Sequence, residues 1–558
     1  MGGYNSEKLL STLLKNRGIQ DFSKLHEFIN PSVSSFRDPF LFENMETIVS
    51  MLEKAKKEGS RICIYGDYDV DGITGTAFLV KVFRQIGMDT LYYIPSRDEE
   101  GYGLTKKNID FLLEKGVKLV ITVDTGYNSL EDIAYAKSKS MEVIISDHHK
   151  TVREEGDEDI LFLNPKLSQS YEFKFLSGAG VALKIAQALY QRLHLDLNEL
   201  YQYLDIIMIG TIADVVPMVD ENRIIIKNGL RILQKTKVKG LSYLLKYLKF
   251  GDKHINTTDV SYYISPLINS LGRVGTSRIA ADFFIKEDDF EIYNIIEEMK
   301  KLNKKRRELE KNIYDDAIRS IEKNGKKGLK CIFLANRRWH PGVIGVVSSR
   351  LSLKFQVPVV LIALEGKLGK ASCRSVRNIS VYNILEEVKE DLVRYGGHDL
   401  AAGFTIEEEK VEKVRQYFME YLSRDTQAVE RKKKYTIDME LPLEAIGENL
   451  LKDIEKISPF GSENPHPLFL EKNLNFREIR KFGVDQRHFN GTLVKAGREY
   501  PAVGFDLGHR IQLDTYLAQT FDIVYYPEKV NLHGEKMIQI RIKDIIIKDE
   551  FYDIFIKS

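Results

Sequence analysis

Short apolar runs that stop abruptly at acids or histidines recur through the first third of the chain, separated by stretches with helical spacing. Arg61-Ile62-Cys63-Ile64-Tyr65 runs into Gly66-Asp67-Tyr68-Asp69-Val70-Asp71-Gly72. Val117-Lys118-Leu119-Val120-Ile121-Thr122-Val123 runs into Asp124-Thr125-Gly126, and Val143-Ile144-Ile145-Ser146 into Asp147-His148-His149. Helix-period stretches at 73–86 and 129–138 lie between them. The alternation predicts an α/β unit with a parallel sheet and right-handed crossovers. All carboxyl ends of such strands open on one edge, where ligands collect.

Farther along the pattern changes. From 178 to 250 and on through the 280s it is helical with loops, and 290–323 is an amphipathic run free of proline and glycine, read as one long helix whose charges form a solvated face. A second α/β unit follows, with strands at 331–335 and 357–363 and a helix starting near Pro341-Gly342. Its turn Gly396-Gly397-His398 lets backbone approach a phosphate. After Arg431-Lys432-Lys433-Lys434 come short alternating segments such as 521–526 and 537–542, which predict an OB-type β-barrel. Such barrels stack bases on aromatic rings beside basic groups, and Lys481, Phe482, Arg487, His488 and Phe489 offer that mixture, although core packing explains each ring singly. The expected domains are 1–45, a helical extension wrapped on the first domain; 46–285, the first α/β domain; 286–325, the connecting helix; 326–428, the second; and 429–558, the barrel.

Three carboxylates in five residues, Asp67, Asp69 and Asp71, are costly to bury unpaired. A solvated acidic turn has the same composition, so the decision rests on partners elsewhere. Asp124, His148 and Asp214, the last closing the apolar stretch Ile206-Ile207-Met208-Ile209-Gly210-Thr211-Ile212-Ala213, supply them. Oxygen donors with one or two imidazoles suit Mn²⁺ or Mg²⁺ rather than structural zinc. The negative charge exceeds what one dication neutralises, so two ions roughly 3.5 to 4 Å apart are expected, clamping the attacking and leaving oxygens of a phosphoester. His149 is open between ligating, orienting a ligand and contacting a substrate phosphate. Arg273 is the candidate phosphate clamp, since a guanidinium fork pairs with two phosphate oxygens.

Composition adds limits. A chain of 558 residues is too long for one core and should hold about three or four domains. A hydrophobic content of 43% and a charged content of 29% are those of an ordinary soluble protein. The net charge of +1 gives no argument for nucleic acid, which must rest on local basic surface. The three cysteines, Cys63, Cys331 and Cys373, show no metal spacing; disulfides are not expected and a reducing cytoplasm fits. No stretch has the length of apolar sequence that a membrane helix needs, and the polar start predicts no signal peptide. Gly2 and Ser6 satisfy the loose myristoylation pattern by coincidence.

The motifs together resemble a known family. The segments 66–72, 124–126, 147–149 and 210–214 resemble the four motifs of the DHH phosphoesterase superfamily, and Gly396-Gly397-His398-Asp399-Leu400-Ala401-Ala402-Gly403 resembles the glycine-histidine motif of the DHHA1 domain. Pro266-Leu267-Ile268-Asn269-Ser270-Leu271-Gly272-Arg273 and Trp339-His340-Pro341-Gly342-Val343-Ile344-Gly345 are similar to the RecJ family of single-strand-specific DNA exonucleases. Two positions depart from the family pattern: Thr125, where cysteine often stands, and Glu463, where a second glycine is common.

The resemblance implies a metal-dependent exonuclease that degrades single-stranded DNA from the 5′ end in recombination and repair, with single-strand-binding protein and a helicase as partners. It implies catalytic roles for Asp71, His149 and His398, and a metal set of Asp67, Asp69, Asp71, Asp124, His148 and Asp214. Arg97, Ser372 and Arg374 would line a 5′-phosphate pocket and His398 would contact the scissile group. Asn269, Arg273, Asn303 and Arg307 would face the strand. Two alternatives keep the fold: a phosphodiesterase of short oligonucleotides or cyclic dinucleotides, and a non-catalytic replication scaffold. The barrel and the 266–273 element speak against the first, and the intact strand-end acids against the second.

Overall fold

The computed structural model describes residues 6–96, 103–127, 130–150, 160–251, 253–274, 277–324, 329–376, 379–424, 433–483, 486–508, 520–532, 535–546 and 552–557. Strands β1 (Arg61–Gly66), β2 (Thr90–Tyr93), β3 (Val117–Val123), β4 (Glu142–Ser146) and β5 (Leu161–Leu163) form a parallel sheet in the order β2-β1-β3-β4-β5. β1 and β3 are buried along nearly their whole length, as continuous apolar runs covered by helices on both faces must be. Helix Leu204–Ala213 is mostly apolar and buried, and it packs beside helices Val70–Gln85 and Gly178–Arg192.

The second sheet contains β6 (Ile332–Asn336), β7 (Val359–Glu365), β8 (Leu368–Arg374), β9 (Leu392–His398) and β10 (Ala401–Glu407), ordered β6-β7-β8-β10-β9. Gly396 and Gly397 lie in edge strand β9 rather than in a turn, which falls instead at Asp399-Leu400. Gly397 has φ 139°, and a Cβ there would stand 2.4 Å from the Ala402 Cα, so only glycine fits.

Helix Asp289–Asn324 belongs to two cores. Ile292, Ile295, Ile296, Met299 and Leu302 pack in the first, while Ile313, Tyr314, Ala317 and Ile321 pack against β6, β7 and helix Pro341–Phe355. The two α/β units are therefore held at a separation set by one rigid element.

The C-terminal part contains β11 (Lys433–Ile437), β12 (Met439–Glu440), β13 (Phe469–Phe482), β14 (His488–Lys495), β15 (Arg498–Gly504), β16 (Phe521–Leu532), β17 (Glu535–Ile546) and β18 (Tyr552–Ile556). The run β13-β14-β15-β17-β16 returns to β13, closing a five-stranded barrel. Closure removes exposed edges. Arg431 and Lys432 lie outside the described residues, as do the first five.

The N-terminal extension is not wrapped on the first domain throughout. Helix Ser6–Lys15 buries Leu9, Leu13 and Leu14 in the core of the barrel domain with Leu441, Leu443, Leu450 and Ile454. Asn16 Nδ2 donates to Asp438 Oδ1 at 3.1 Å, and Arg17 Nε to Asn464 Oδ1 at 2.7 Å. Only the following segment meets the first domain, where Phe36 and Phe40 pack and Lys184 Nζ donates to the Arg37 carbonyl at 2.9 Å. An amphipathic helix shows that it needs a core without showing which one.

The barrel domain is fastened to the first domain beside the sheet edge. Arg223 is buried and donates to the carbonyls of Phe28 (2.7 Å), Ile457 (3.2 Å), Ser458 (2.6 Å) and Pro459 (3.3 Å). The Met218 N–H donates to the Ser462 carbonyl at 2.8 Å, and Thr257 Oγ1 to the Phe460 carbonyl at 2.8 Å. Buried Asn464 ties that turn together by donating to Ile457 and Pro459.

Candidate metal centre

The carboxyl edge of the first sheet gathers its polar residues from separate segments. Asp69 caps helix Val70–Gln85, with Oδ1 accepting from the N–H groups of Asp71 (2.9 Å) and Gly72 (3.1 Å). Asp71, on the first turn, accepts from the N–H groups of Gly178 (2.5 Å) and Ala179 (3.1 Å) at the start of helix Gly178–Arg192. A helix N-terminus favours a carboxylate there. Asp124 follows β3 with φ 63°, a left-handed conformation that Asp tolerates. Asp214 caps the C-terminus of helix Leu204–Ala213, so this acid comes from a helix end rather than from a strand.

Three triads have ligand atoms within 4.8 Å of one another: Asp67, Asp69 and Asp124; Asp71, His148 and Asp214; and Asp124, His148 and His149. His148 Nε2 stands 3.0 Å from Asp124 Oδ1, 3.5 Å from Asp214 Oδ2 and 3.8 Å from Asp71 Oδ2. It is buried and makes no hydrogen bond among the described residues. Asp124 lies between the first two triads, in reach of both.

Electrostatics give this geometry its meaning. Burial pushes the Asp71 carboxyl up to about 7, with the charge of Asp69 adding. Burial raises Asp214 to about 8, and Asp71 and Asp69 raise it further. Asp124 is driven well above the carboxylate range by burial and then by Asp71, Asp69 and Asp67. Burial drops the His148 imidazole to about 3, so it is a neutral donor. Crowded acids that resist ionising and an imidazole with its lone pair aimed at them form a donor set that divalent cations complete. The donor set fits divalent cations, which these carboxylates together with His148 would hold.

Asp147 stands apart from the triads. It accepts from the N–H groups of His148 (2.7 Å) and His149 (3.1 Å) and pairs with His149 Nδ1 at 2.7 Å. Burial pulls His149 down, but the Asp147 hydrogen bond and charge outweigh it and bring the imidazole to about 9. His149 is half-exposed at the rim of the acid cluster, with Nδ1 3.7 Å from Asp124 Oδ1.

Other positions are distributed as follows. His398, on β9, has its pKa lowered by burial and by the charges of His149, Lys166 and Lys150. Arg273 donates to the Gly342 carbonyl at 3.3 Å, bridging the first domain to the helix start at Pro341, and half-buried Asn269 precedes it by one helical turn. Ser372 and Arg374 meet on β8: Arg374 Nη1 donates to Ser372 Oγ at 3.2 Å and Nε to Ser349 Oγ at 2.9 Å. Asn303 is buried and accepts from Arg306 at 3.2 Å, while Arg307 is exposed. Arg97 lies outside the described residues.

Sequence reasoning missed several groups. Asn164, just past β5, donates to the His149 carbonyl at 3.0 Å and accepts from the Lys166 N–H at 2.9 Å. Leu161-Phe162-Leu163-Asn164 repeats the apolar-run-then-polar signal of the other strands, and was legible. Gly178 and Ser349 had no such signal. On the barrel, Phe489 is core, edge-to-face with Phe476. Phe505 joins partly exposed Phe482 and His488 instead, with Arg541 3.8 Å over its ring.

The DHH family, N-terminal domain, matches residues 61–211; the DHHA1 domain matches 328–424; the RecJ OB domain matches 437–544. The single-stranded-DNA-specific exonuclease RecJ of Bacillus subtilis is 32% identical over 544 residues, covering 97% of this chain and 68% of that protein. The chain belongs to the RecJ family. The crystal structure of Thermus thermophilus RecJ in complex with Mn²⁺ superimposes with a TM-score of 0.83 at 26% identity, covering 98% of this chain and 76% of that one. The Mg²⁺ complex of the same protein gives 0.78, covering 98% and 75%. Of the two positions noted in the sequence, Thr125 is buried and Glu463 takes φ 57°, a left-handed conformation that a glycine adopts at less cost.

Proposed function

We propose that the chain is a metal-dependent exonuclease that hydrolyses single-stranded DNA from its 5′ end, with Asp67, Asp69, Asp71, Asp124, His148 and Asp214 as ligands for two Mn²⁺ or Mg²⁺ ions. The convergence of these six side chains at one sheet edge carries the reading. Divalent cations bound there supply a nucleophile from water at neutral pH and offset the charge that builds on the phosphate oxygens. The protein's own groups orient the substrate. His149, held by Asp147, lies beside the scissile phosphate, and His398 donates to it from the opposite side. Arg374, positioned by Ser372 and Ser349, receives the 5′ phosphate together with Arg97. Arg273 fixes the gap that the strand crosses, and Asn269, Asn303 and Arg307 are assigned to the strand's path. Work in recombination and repair, in a cytoplasm, beside single-strand-binding protein and a helicase, follows from the family and belongs to this proposal. No helix among the described residues is long and apolar enough to cross a membrane.

The test compares end-labelled single strands, duplexes and dinucleotides in Mn²⁺. Single strands should shorten stepwise from the 5′ end while duplexes persist, and Asp71→Ala should lower the rate by about a thousandfold or more while single-strand binding survives. Cleavage of dinucleotides alone would replace the substrate, and no cleavage of any would favour a scaffold.

A further inference from the structure

Among the acids of the metal centre, Asp214 is held differently from the rest. Asp69 and Asp71 each accept two backbone N–H bonds, and the side chains of Asp71 and Asp124 are almost fully buried. The Asp214 side chain is 26% exposed and accepts no backbone N–H among the described residues, yet its Oδ2 stands 3.5 Å from His148 Nε2. Its place is therefore set by the backbone that carries it.

On one side that backbone is the buried helix Leu204–Ala213, where the Asp214 N–H donates to the Gly210 carbonyl at 3.0 Å. On the other side lies a strained loop. Val215 has φ 59° and Asp220 φ 52°, and for a β-branched residue such as valine the left-handed region is an outlier. Such a conformation persists only where the surrounding structure imposes it. Packing of Val215 itself does not, since that residue is 69% exposed.

The restraint comes from the barrel domain. Midway along the loop Met218 is buried; its N–H donates to the Ser462 carbonyl at 2.8 Å, and its side chain lies against Gly461, where a Cβ would stand 2.4 Å from Met218 Cε. Asn222 Nδ2 ties the loop back to the first domain, donating to the carbonyls of Pro217 at 3.0 Å and Phe175 at 2.6 Å. Arg223 follows on the first turn of helix Asp220–Leu233 and engages three consecutive carbonyls of the same barrel turn, those of Ile457, Ser458 and Pro459. Carbonyl dipoles answer its charge, and burial together with the charge of Arg17 lowers its pKa to about 9. A planar guanidinium fork fixed in this way sets the register of the turn against the loop.

We propose that the barrel domain acts as a splint for the metal centre. Arg223 is a positioning residue: it locks the turn 457–464 onto the loop that follows Asp214, and the lock holds that strained loop in the shape that keeps the Asp214 carboxylate among the other donors. Loosening the turn lets Val215 relax towards negative φ and carries Asp214 away from His148. This role rests on the metal-dependent reading of the site, and it requires no contact between the barrel and the substrate.

The test measures Mn²⁺ binding by the full chain in titration calorimetry, cleavage of a long single strand, and binding of that strand in chelator. Arg223→Lys keeps the charge but loses the fork, while Gly461→Val pushes Met218 aside without touching the arginine. Each should weaken Mn²⁺ binding by about tenfold and lower kcat at subsaturating Mn²⁺, with excess Mn²⁺ recovering kcat and strand affinity in chelator unchanged. Val215→Gly removes the cost of the left-handed conformation. Alone it should leave Mn²⁺ affinity as in wild type, and added to Arg223→Lys it should restore most of the loss, which a general loosening of the fold would not allow. Circular dichroism verifies that each variant folds. Wild-type Mn²⁺ affinity in both folded variants, or a loss that Val215→Gly leaves unrelieved, would overturn the splint. Cleavage is read separately: a wild type that binds Mn²⁺, with these differences among the variants, but cuts no strand would sink the exonuclease reading and leave the splint standing.

Discussion

At the scale of single residues, the metal centre depends on groups that carry no ligand atom. A Cβ at Gly178 would lie 2.6 Å from the Asp124 Cβ and 2.9 Å from its Oδ1. A Cβ at Gly210 would lie 2.7 Å from Asp71 Oδ1. These glycines let two helix backbones press on the carboxylates from behind, and the Gly178 N–H also holds Asp71. Gly178→Ala should therefore weaken Mn²⁺ binding by about tenfold or more in titration calorimetry, with a stability loss of about 1–3 kcal/mol from overpacking. Unchanged affinity would show that Asp124 moves freely. Gly210 stood within a recognised motif, whereas Gly178 was invisible in the sequence, because a glycine tells nothing of the distant side chain that needs its space. Asp69, Asp71, Asp124 and His148 were legible because a buried strand that ends in an acid leaves a local mark.

At the scale of elements, the helix Asp289–Asn324 sets how the two α/β units face each other. Its extent was readable from an unbroken amphipathic run. Its sharing between two cores was not, since both halves show the same spacing. Between Leu302 and Leu309 it crosses from one core to the other, and Lys304 and Lys305 there are exposed. Lys305→Pro should cost about 3 kcal/mol and free the units to tilt. Strand cleavage should fall at least tenfold with Mn²⁺ affinity retained, and small-angle scattering should show a broader size distribution, while Lys305→Ala changes neither. The strand β9 was misread as a turn because two adjacent glycines are a turn signal in sequence, and only its pairing with β10 shows an extended edge.

At the scale of the whole molecule, assembly depends on contacts between segments far apart in sequence. His466 sits where the barrel, the first domain and Arg17 meet, and burial holds its pKa at about 4 against 6.5 in the unfolded chain. The unfolded chain thus binds the proton first, so stability is complete above pH 6.5 and falls between pH 6.5 and 4, by up to about 3 kcal/mol. Urea unfolding at successive pH values should show this slope, and His466→Phe should remove that share of it; an identical slope would assign the loss to other groups. The docking of helix Ser6–Lys15 was beyond the sequence for the same reason: Asn16 bonds to a residue 422 positions away. On the ribosome that distance becomes time. At about 5–20 residues per second helix Ser6–Lys15 waits roughly 20–80 s for its partner strands to emerge, with Leu9, Leu13 and Leu14 bare throughout, which makes it a stretch of the nascent chain suited to a holding chaperone.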